Sequence, residues 1–349
     1  MKTYKNLYKK ICSIDNLIFA YKKARKGKGK SACVIEFEKN IDEEIKELNE
    51  ELTSFTYKPK PLRRFVIRDP KTRVIHASAF RDRVVHHALL NVIVPIFEKR
   101  FIFDSYASRV GKGTHASLQR FDFFKRRVSC NGRLIKRGKE NGNFVEGYIL
   151  KADVKHYFQT INHKILIGIL RRKIQDEKTI WLVQGILENG DDSCNGLGMP
   201  LGNYTSQFFA NVYLNELDYF VKHFLKARFY IRYVDDFVIF HKCKKLLEYY
   251  RDMIERYISC LKLELHEAKT KILPLCNGVD FVGYKVFYYY KKIRRRNIRI
   301  FRKNLNEKLK RYRSGEITKI MLIENLQGWF GYARWADTYK FRKKVLEAI

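Results

Sequence analysis

Residues 228–240 read RFYIRYVDDFVIF. Two short runs rich in aromatic and β-branched residues flank Asp235 and Asp236, which is how a tight β-hairpin with carboxylates at its tip is written. Carboxylates are poor strand residues, and two side by side repel unless a cation or a basic neighbour offsets them. A divalent metal suits the pair, because a hard cation such as Mg²⁺ wants oxygen ligands and takes only one or two from protein, leaving the rest to water and phosphate. Successive strand side chains point to opposite faces, so the two cannot aim at one ion equally. Asp235 is assigned the ligand role and Asp236 a supporting one. The competing reading is a surface hairpin whose Asp-Asp is only a turn.

Upstream, GYILKAD (147–153) is a short apolar run closing on Asp153 and followed by VKHYF (154–158). An Asp after a strand is ordinarily an N-cap; here a second acidic site gives it a partner. Between the two lie a helix expected over His163 to Leu187 and the Gly/Pro loop GLGMPLGNYTSQ (196–207). That loop lets something flat approach the backbone closely, although a capped helix start reads the same way.

Downstream, Leu246 to Leu263 is helical, Leu265 to Ile272 is a turn or strand with two lysines, and VDFVGYKVFYYY (279–290) is β-rich. From Lys291 to Arg313 twelve Lys or Arg stand against one acidic residue, Glu307. A solvated helix face normally mixes signs, so this segment, with Arg295 and Arg299, reads as a region that grips a nucleic-acid duplex. The remainder is helical, with Trp329, Phe330, Tyr332 and Trp335 as a core or stacking face.

The first half is helical and charged to residue 60, with a helix expected around Phe37 to Leu52. PLRRFVIRDPKTRVIH (61–76) reads as two strands joined by a turn at Asp69-Pro70, with Arg64, Arg68, Lys71 and Arg73 at or near its tip. Such a tip suits a triphosphate, or else is a charged edge strand that avoids aggregation. A helix is expected from Phe80 to about Glu98, ended near Pro95. DSYASRVGKGTH (104–115) is a basic turn in which Arg109 and Lys112 offer contacts to a nucleic-acid backbone, and RRVSCNGRLIKRGKENGNFVEG (126–147) is a hairpin or loop insertion.

The 349 residues suffice for two or three domains or one large mixed one. Against 37 acidic residues stand 71 Lys and Arg, a net charge of +34, which is most simply explained by a polyanionic partner whose counterions the protein replaces. Nucleic acid is the leading partner, and aromatics at 14% among the cations suit single strands and hybrids. Seven scattered cysteines without a C-x-x-C pair argue against a disulfide framework or a zinc site and for a reducing compartment. MKTYKNLYKK (1–10) has no apolar leader core and no run of about 18 apolar residues occurs. The expectation is a soluble, cytoplasmic protein with no membrane partner.

Taken in order, the strand-borne Asp153, the loop ending in Ser206-Gln207 and the Tyr233-Val234-Asp235-Asp236 box closely resemble a reverse transcriptase from about Leu62 onward. The resemblance implies an α+β right-hand polymerase: an N-terminal helical extension over 1–61, fingers over 62–146, a palm over 147–290 and a helical thumb over 291–349. It implies that Asp153 and Asp235 bind two Mg²⁺ ions, with Mn²⁺ as a substitute, and that Asp236 completes the acidic cluster. Arg68 and Arg73 match fingertip cations on the incoming dNTP, and Phe158 the aromatic gate against a ribose 2′-hydroxyl. Gln207, beside Ser206, falls where the family contacts the nascent pair and template. Lys269 resembles the lysine proposed to help protonate pyrophosphate, and Phe281-Val282-Gly283-Tyr284 the primer grip.

The segments from Asp82 to His86 and from Ser105 to His115 are similar to bacterial, group II intron-like enzymes. Those enzymes usually end the Gly-rich motif in Ser-Pro. Here Leu201-Gly202-Asn203-Tyr204-Thr205-Ser206-Gln207 looks like the motif of diversity-generating retroelement reverse transcriptases, encoded by bacteria, archaea or phages. That likeness implies copying of a template-repeat RNA into cDNA with misincorporation opposite adenine, and a small basic helical, oligomeric accessory protein (an accessory variability determinant) as partner. Nothing after the thumb resembles a DNA-binding, endonuclease or RNase H domain. The alternatives are a group II intron-like or phage-defence enzyme whose cDNA has another fate, and a non-catalytic RNA-binding protein.

Overall fold

The computed structural model describes residues 2–68, 72–136, 143–190 and 195–347. The chain divides into two compact units. The first comprises Met1–Ser108, Val154–Lys226 and Met253–His266, the second Arg109–Asp153, Ala227–Asp252 and Glu267–Ile349. Strands are numbered in chain order: β1 (Arg63–Ile67), β2 (Arg73–Ala77), β3 (Leu134–Lys136), β4 (Asn143–Val145), β5 (Tyr148–Asp153), β6 (Tyr230–Tyr233), β7 (Asp236–His241), β8 (Lys271–Pro274), β9 (Val279–Phe281), β10 (Tyr284–Val286) and β11 (Lys291–Ile293). Helices and antiparallel sheets occupy separate stretches, as an α+β chain requires.

The first unit is mainly helical. The helix expected over 37–52 is two, Ala32–Lys39 and Ile41–Thr53, because Asn40 leaves helical geometry at φ −129° and ψ 43°. The helix expected over 163–187 is likewise two, His163–Arg171 and Glu177–Glu188. Asp176 makes the break: its carboxylate accepts from Thr179 N at 3.4 Å as an N-cap and from Tyr8 N at 2.8 Å. The helix expected from Phe80 to about Glu98 spans Phe80–Glu98 and runs through Pro95, since a proline removes one ladder bond without necessarily ending a helix. Asp82 in that helix is fully buried and accepts from Tyr57 Oη at 2.8 Å and Lys60 N at 3.0 Å. β1 and β2 pair antiparallel from Arg63↔Ala77 to Ile67↔Arg73; the turn, with Lys71, lies outside the described residues.

The second unit is built on a four-stranded sheet in the order β6-β7-β5-β8, every neighbour antiparallel. Helix Thr114–Val128 packs on it through Phe121 and Phe124, whose rings lie 4.7 and 6.2 Å from that of Phe240. Within the polar 126–147 segment, Arg126 to Val128 complete that helix and β3 pairs antiparallel with β4, Leu134↔Val145, while 137–142 lie outside the described residues. A small sheet in the order β11-β10-β9 leads into helices Arg295–Arg313, Lys319–Ala333 and Tyr339–Glu347. These enclose Phe301, Leu305, Ile317, Leu322, Leu326 and Val345. Trp329 stacks on Phe301 with centroids 3.5 Å apart, while Trp335 stacks on His115 at 4.5 Å. Among the described residues no helix is long and apolar enough to cross a membrane.

Candidate active site

Residues 228–240 form the hairpin their pattern predicts, β6 and β7 joined by the two-residue turn Val234-Asp235. The turn is strained: Val234, a β-branched residue, sits at φ +56° in the left-handed region. Arg232, fully buried, donates from Nη1 to Val234 O at 2.9 Å and so fixes the carbonyl of that residue. The Tyr233 hydroxyl lies 3.2 Å from Thr114 Oγ1, at the start of the helix that backs the sheet. The hairpin tip is thus held through the residues that lead into the aspartates.

The sheet brings the third aspartate to this tip. Asp153 ends β5 and stands opposite Asp236, the first residue of β7, with Asp235 next to it in the turn. Each of the facing carboxylates is paired with a lysine: Asp153 Oδ1 accepts from Lys269 Nζ at 2.5 Å and Asp236 Oδ2 from Lys151 Nζ at 3.1 Å. Burial pushes the Asp236 carboxyl up to about 6 against the pull of Lys151, and the charges of Asp153 and Asp235 push the same way. Of the two ways to offset the paired carboxylates, a metal or a basic neighbour, Lys151 supplies the second at Asp236. Lys269 was singled out in the sequence; Lys151 was not, although its place two residues before Asp153 puts it on the same face of the strand.

Among the described residues no three or more His, Cys, Asp or Glu side chains form a ready metal cage. The donors nevertheless fit Mg²⁺ by chemistry, since they are carboxylate oxygens and this ion takes one or two from protein. Asp236 Oδ1 is moreover buried without a hydrogen-bond partner, an acceptor left over for a further cation.

Two other segments of the second unit carry predicted contacts. β9 and β10 are joined by Val282 and Gly283, both with positive φ as a type I′ turn requires. A Cβ on Gly283 would lie 3.0 Å from the Tyr332 hydroxyl, which donates to Gly283 O at 2.9 Å. Phe281 is fully buried, so any contact from this turn comes from its backbone rather than that ring. Arg295 and Arg299 are exposed on the first turns of the basic helix, and Arg109 and Lys112 are half-buried before helix Thr114–Val128.

The first unit gathers the remaining predicted residues around the 196–207 loop. Phe158 is half-buried, and its carbonyl accepts from Met199 N at 2.7 Å, while His163 Nε2 lies 2.6 Å from Gly198 O. The loop also docks on the β1–β2 hairpin: His76 N donates to Leu201 O at 2.9 Å, and a Cβ on Gly202, at φ +118°, would lie 2.7 Å from Ile75 Cγ2. Asn203 accepts from Ser78 Oγ at 2.9 Å instead of capping its own helix. Ser206 is buried and Gln207 exposed, so of the two Gln207 is the outward-facing group; its Oε1 accepts from Ser108 Oγ at 3.1 Å. Arg68 and Arg73 are exposed at the hairpin's outer end.

Residues 48–286 match the family described as "Reverse transcriptase (RNA-dependent DNA polymerase)". The chain is 29% identical over 286 residues to protein YkfC of Escherichia coli, covering 70% of this chain and 71% of that protein. It is 26% identical over 362 aligned positions to the group II intron-encoded protein LtrA of Lactococcus lactis, covering 82% of this chain but only 57% of LtrA. In structure it is similar to telomerase from Candida albicans (TM-score 0.50, 11% identity, 69% of this chain and 48% of that one) and from Candida tropicalis (TM-score 0.51, 14% identity, 68% and 49%). At such identities the likeness carries the fold alone, that of a right-hand polymerase.

Proposed function

Because the chain belongs to the reverse transcriptase (RNA-dependent DNA polymerase) family, we propose that the β5–β7 edge extends a DNA primer along an RNA template by nucleotidyl transfer. The observation that carries this reading is the meeting of Asp153 with Asp235 and Asp236, some eighty residues apart in sequence, at one end of one sheet. Asp153 and Asp235 would hold two Mg²⁺ ions, Asp236 completing the acidic set. Such ions, when bound, lower the pKa of a hydroxyl nucleophile and offset charge on a triphosphate and its leaving group.

The chain's own side chains supply the rest. Lys269 presents an ammonium beside Asp153 and is assigned to give a proton to departing pyrophosphate. Arg68 and Arg73 are assigned to the triphosphate, Phe158 to excluding a 2′-hydroxyl by bulk, and Gln207 to the nascent pair. The 281–284 turn, Arg295 and Arg299 hold the hybrid, with Arg109 and Lys112 on the backbone. The N-terminal extension, fingers, palm and thumb take the boundaries 1–61, 62–146, 147–290 and 291–349.

Within the family we assign the chain to the diversity-generating type, with a template-repeat RNA, dNTPs and a small basic helical accessory protein as partners. The support is the L-G-x-x-x-S-Q motif at 201–207, in which Gln207 is exposed and Ser206 buried. A second reading, a group II intron-type enzyme with another cDNA fate, is favoured by the relation to LtrA.

Purified protein should extend a DNA primer on RNA with Mg²⁺. Asp153→Ala or Asp235→Ala should lower extension at least about a thousandfold while RNA affinity stays within about threefold, because phosphate contacts are spread over many cations. Either variant working at the wild-type rate would overturn the site. Sequencing the cDNA decides the subtype: errors concentrated opposite adenine support the diversity-generating reading, and errors spread over all four template bases support the second.

A further inference from the structure

Lys151 interrupts an otherwise apolar strand, a placement that strand preference disfavours. Its side chain is only 13% exposed. The ammonium has two acceptors on two different strands, Asp236 Oδ2 of β7 at 3.1 Å and the backbone oxygen of Asp280 in β9 at 2.5 Å. Val238 stands opposite Lys151 in the β5–β7 register. Asp236 is therefore the diagonal neighbour on the same face, a separation that a long side chain spans. β9 runs directly into the 281–284 turn, and the Asp280 carboxylate faces Arg294 Nε at 3.6 Å, one residue before helix Arg295–Arg313.

We propose that Lys151 is a positioning residue of the polymerase site. It acts as a resident counter-cation that fixes Asp236 through Oδ2 and ties the aspartate edge of the main sheet to β9 and the turn that follows. What the positioned carboxylate is for rests on the polymerase reading; the strut itself does not. Two features set Lys151 apart from Lys269. Lys269 is 40% exposed, sits on a single helical turn at Glu267–Lys269 and bonds one carboxylate. Lys151 is enclosed, anchored in mid-strand and shared between a side chain and a backbone carbonyl. A divalent cation could replace its charge at Asp236 but not its hydrogen bond to Asp280 O, because a carbonyl needs a donor there and Lys is a three-donor group. By engaging Oδ2 alone, the lysine also accounts for Asp236 Oδ1 being left without a partner.

The test uses the full chain with Lys151→Met, Lys151→Arg, Asp236→Asn and the Lys151→Met/Asp236→Asn pair. In single-nucleotide addition on a defined RNA–DNA primer-template, Lys151→Met should lower kcat about 10- to 100-fold with KM for the dNTP within about threefold, the signature of misplaced rather than missing machinery. Lys151→Arg, which keeps the charge and the reach, should recover most of that loss. Thermal melting in EDTA reads the contact without turnover. Lys151→Met should melt several degrees lower than wild type, and adding Asp236→Asn should restore most of the difference, because a neutral amide no longer needs the ammonium. The proposal is overturned by an equal melting loss from Lys151→Met with Asp or Asn at position 236, or by a wild-type kcat in Lys151→Met. A wild-type protein that extends no primer with any divalent cation would sink the polymerase reading, while the melting cycle would still decide whether Lys151 holds Asp236.

Discussion

Asp153 and Asp236 face one another across β5 and β7, the last residue of one strand against the first of the other. Like charges directly opposite in a sheet destabilise it, and here each is neutralised by its own lysine, Lys269 on one side and Lys151 on the other. The facing pair is therefore offset before any divalent ion arrives, with Asp235 beside it in the turn. Divalent ions bound here, as proposed, would compete with ammonium groups for oxygen, and the more exposed lysine, Lys269, would be the one to yield.

This competition has a measurable sign. An exposed ion pair is worth at most about 1 kcal/mol, so freeing Asp153 from Lys269 should ease metal entry only a few-fold. Lys269→Met is expected to reach half-maximal primer extension at about one-third of the wild-type Mg²⁺ concentration. Its maximal rate should nevertheless be about tenfold or more lower, for want of the proton donor. A Mg²⁺ titration of initial rates checks both; a higher Mg²⁺ requirement would mean that Lys269 assists metal binding rather than opposing it.

Phe158 offers a test of sugar selection that leaves the chemistry in place. Its backbone carbonyl already serves Met199 N, so truncating the ring should not unseat the loop. Phe158→Ala should therefore keep dNTP addition within about tenfold while the preference for dNTP over rNTP falls about a hundredfold, discrimination by bulk being lost with the ring. Competing dNTP and rNTP incorporation on one template measures the ratio. An unchanged preference would remove Phe158 from the gate.

Much of this architecture is legible in the residues themselves. Aromatic and β-branched runs mark the β6–β7 hairpin, a short apolar run marks β5, and charge imbalance marks the helix after Arg294. The two helix breaks were missed because apolar spacing continues across them: only Asn40, a poor helix former that leaves helical geometry, and Asp176, whose carboxylate caps the next helix, signal the interruption. Lys151 escaped because a lysine in a basic chain draws no notice until the face it shares with Asp153 is considered. The strain at Val234 has no sequence signal at all, since the residue that best suits its strand neighbours is the wrong one for its φ.

The basic helix should reveal itself through salt. Arg295 and Arg299 lie one turn apart and exposed. If both bind phosphates, the double change to Gln should make the slope of log affinity against log salt shallower by about two, each phosphate contact contributing just under one. The loss should be the same for unrelated template sequences, because phosphate contacts carry no base information. Fluorescence anisotropy on an RNA–DNA hybrid from low to physiological salt measures both; an unchanged slope would place the duplex elsewhere.

His86 sets a pH dependence of stability away from the chemistry. It is buried in helix Phe80–Glu98, and burial pushes its imidazole down to about 3, with the charges of His87 and Arg83 adding to the effect. Between that value and the ordinary value near 6.5 the unfolded chain binds the proton and the folded chain does not, so stability rises with pH across this window and is lost as pH falls below about 6.5. One such histidine accounts for about 2 kcal/mol between neutral pH and pH 5. His86→Leu should flatten the urea-unfolding free energy over that range by about the same amount, whatever its effect at neutral pH, because it removes the only group changed. Equal pH slopes in the two proteins would show that His86 is protonated, or accessible to protons, in the folded chain.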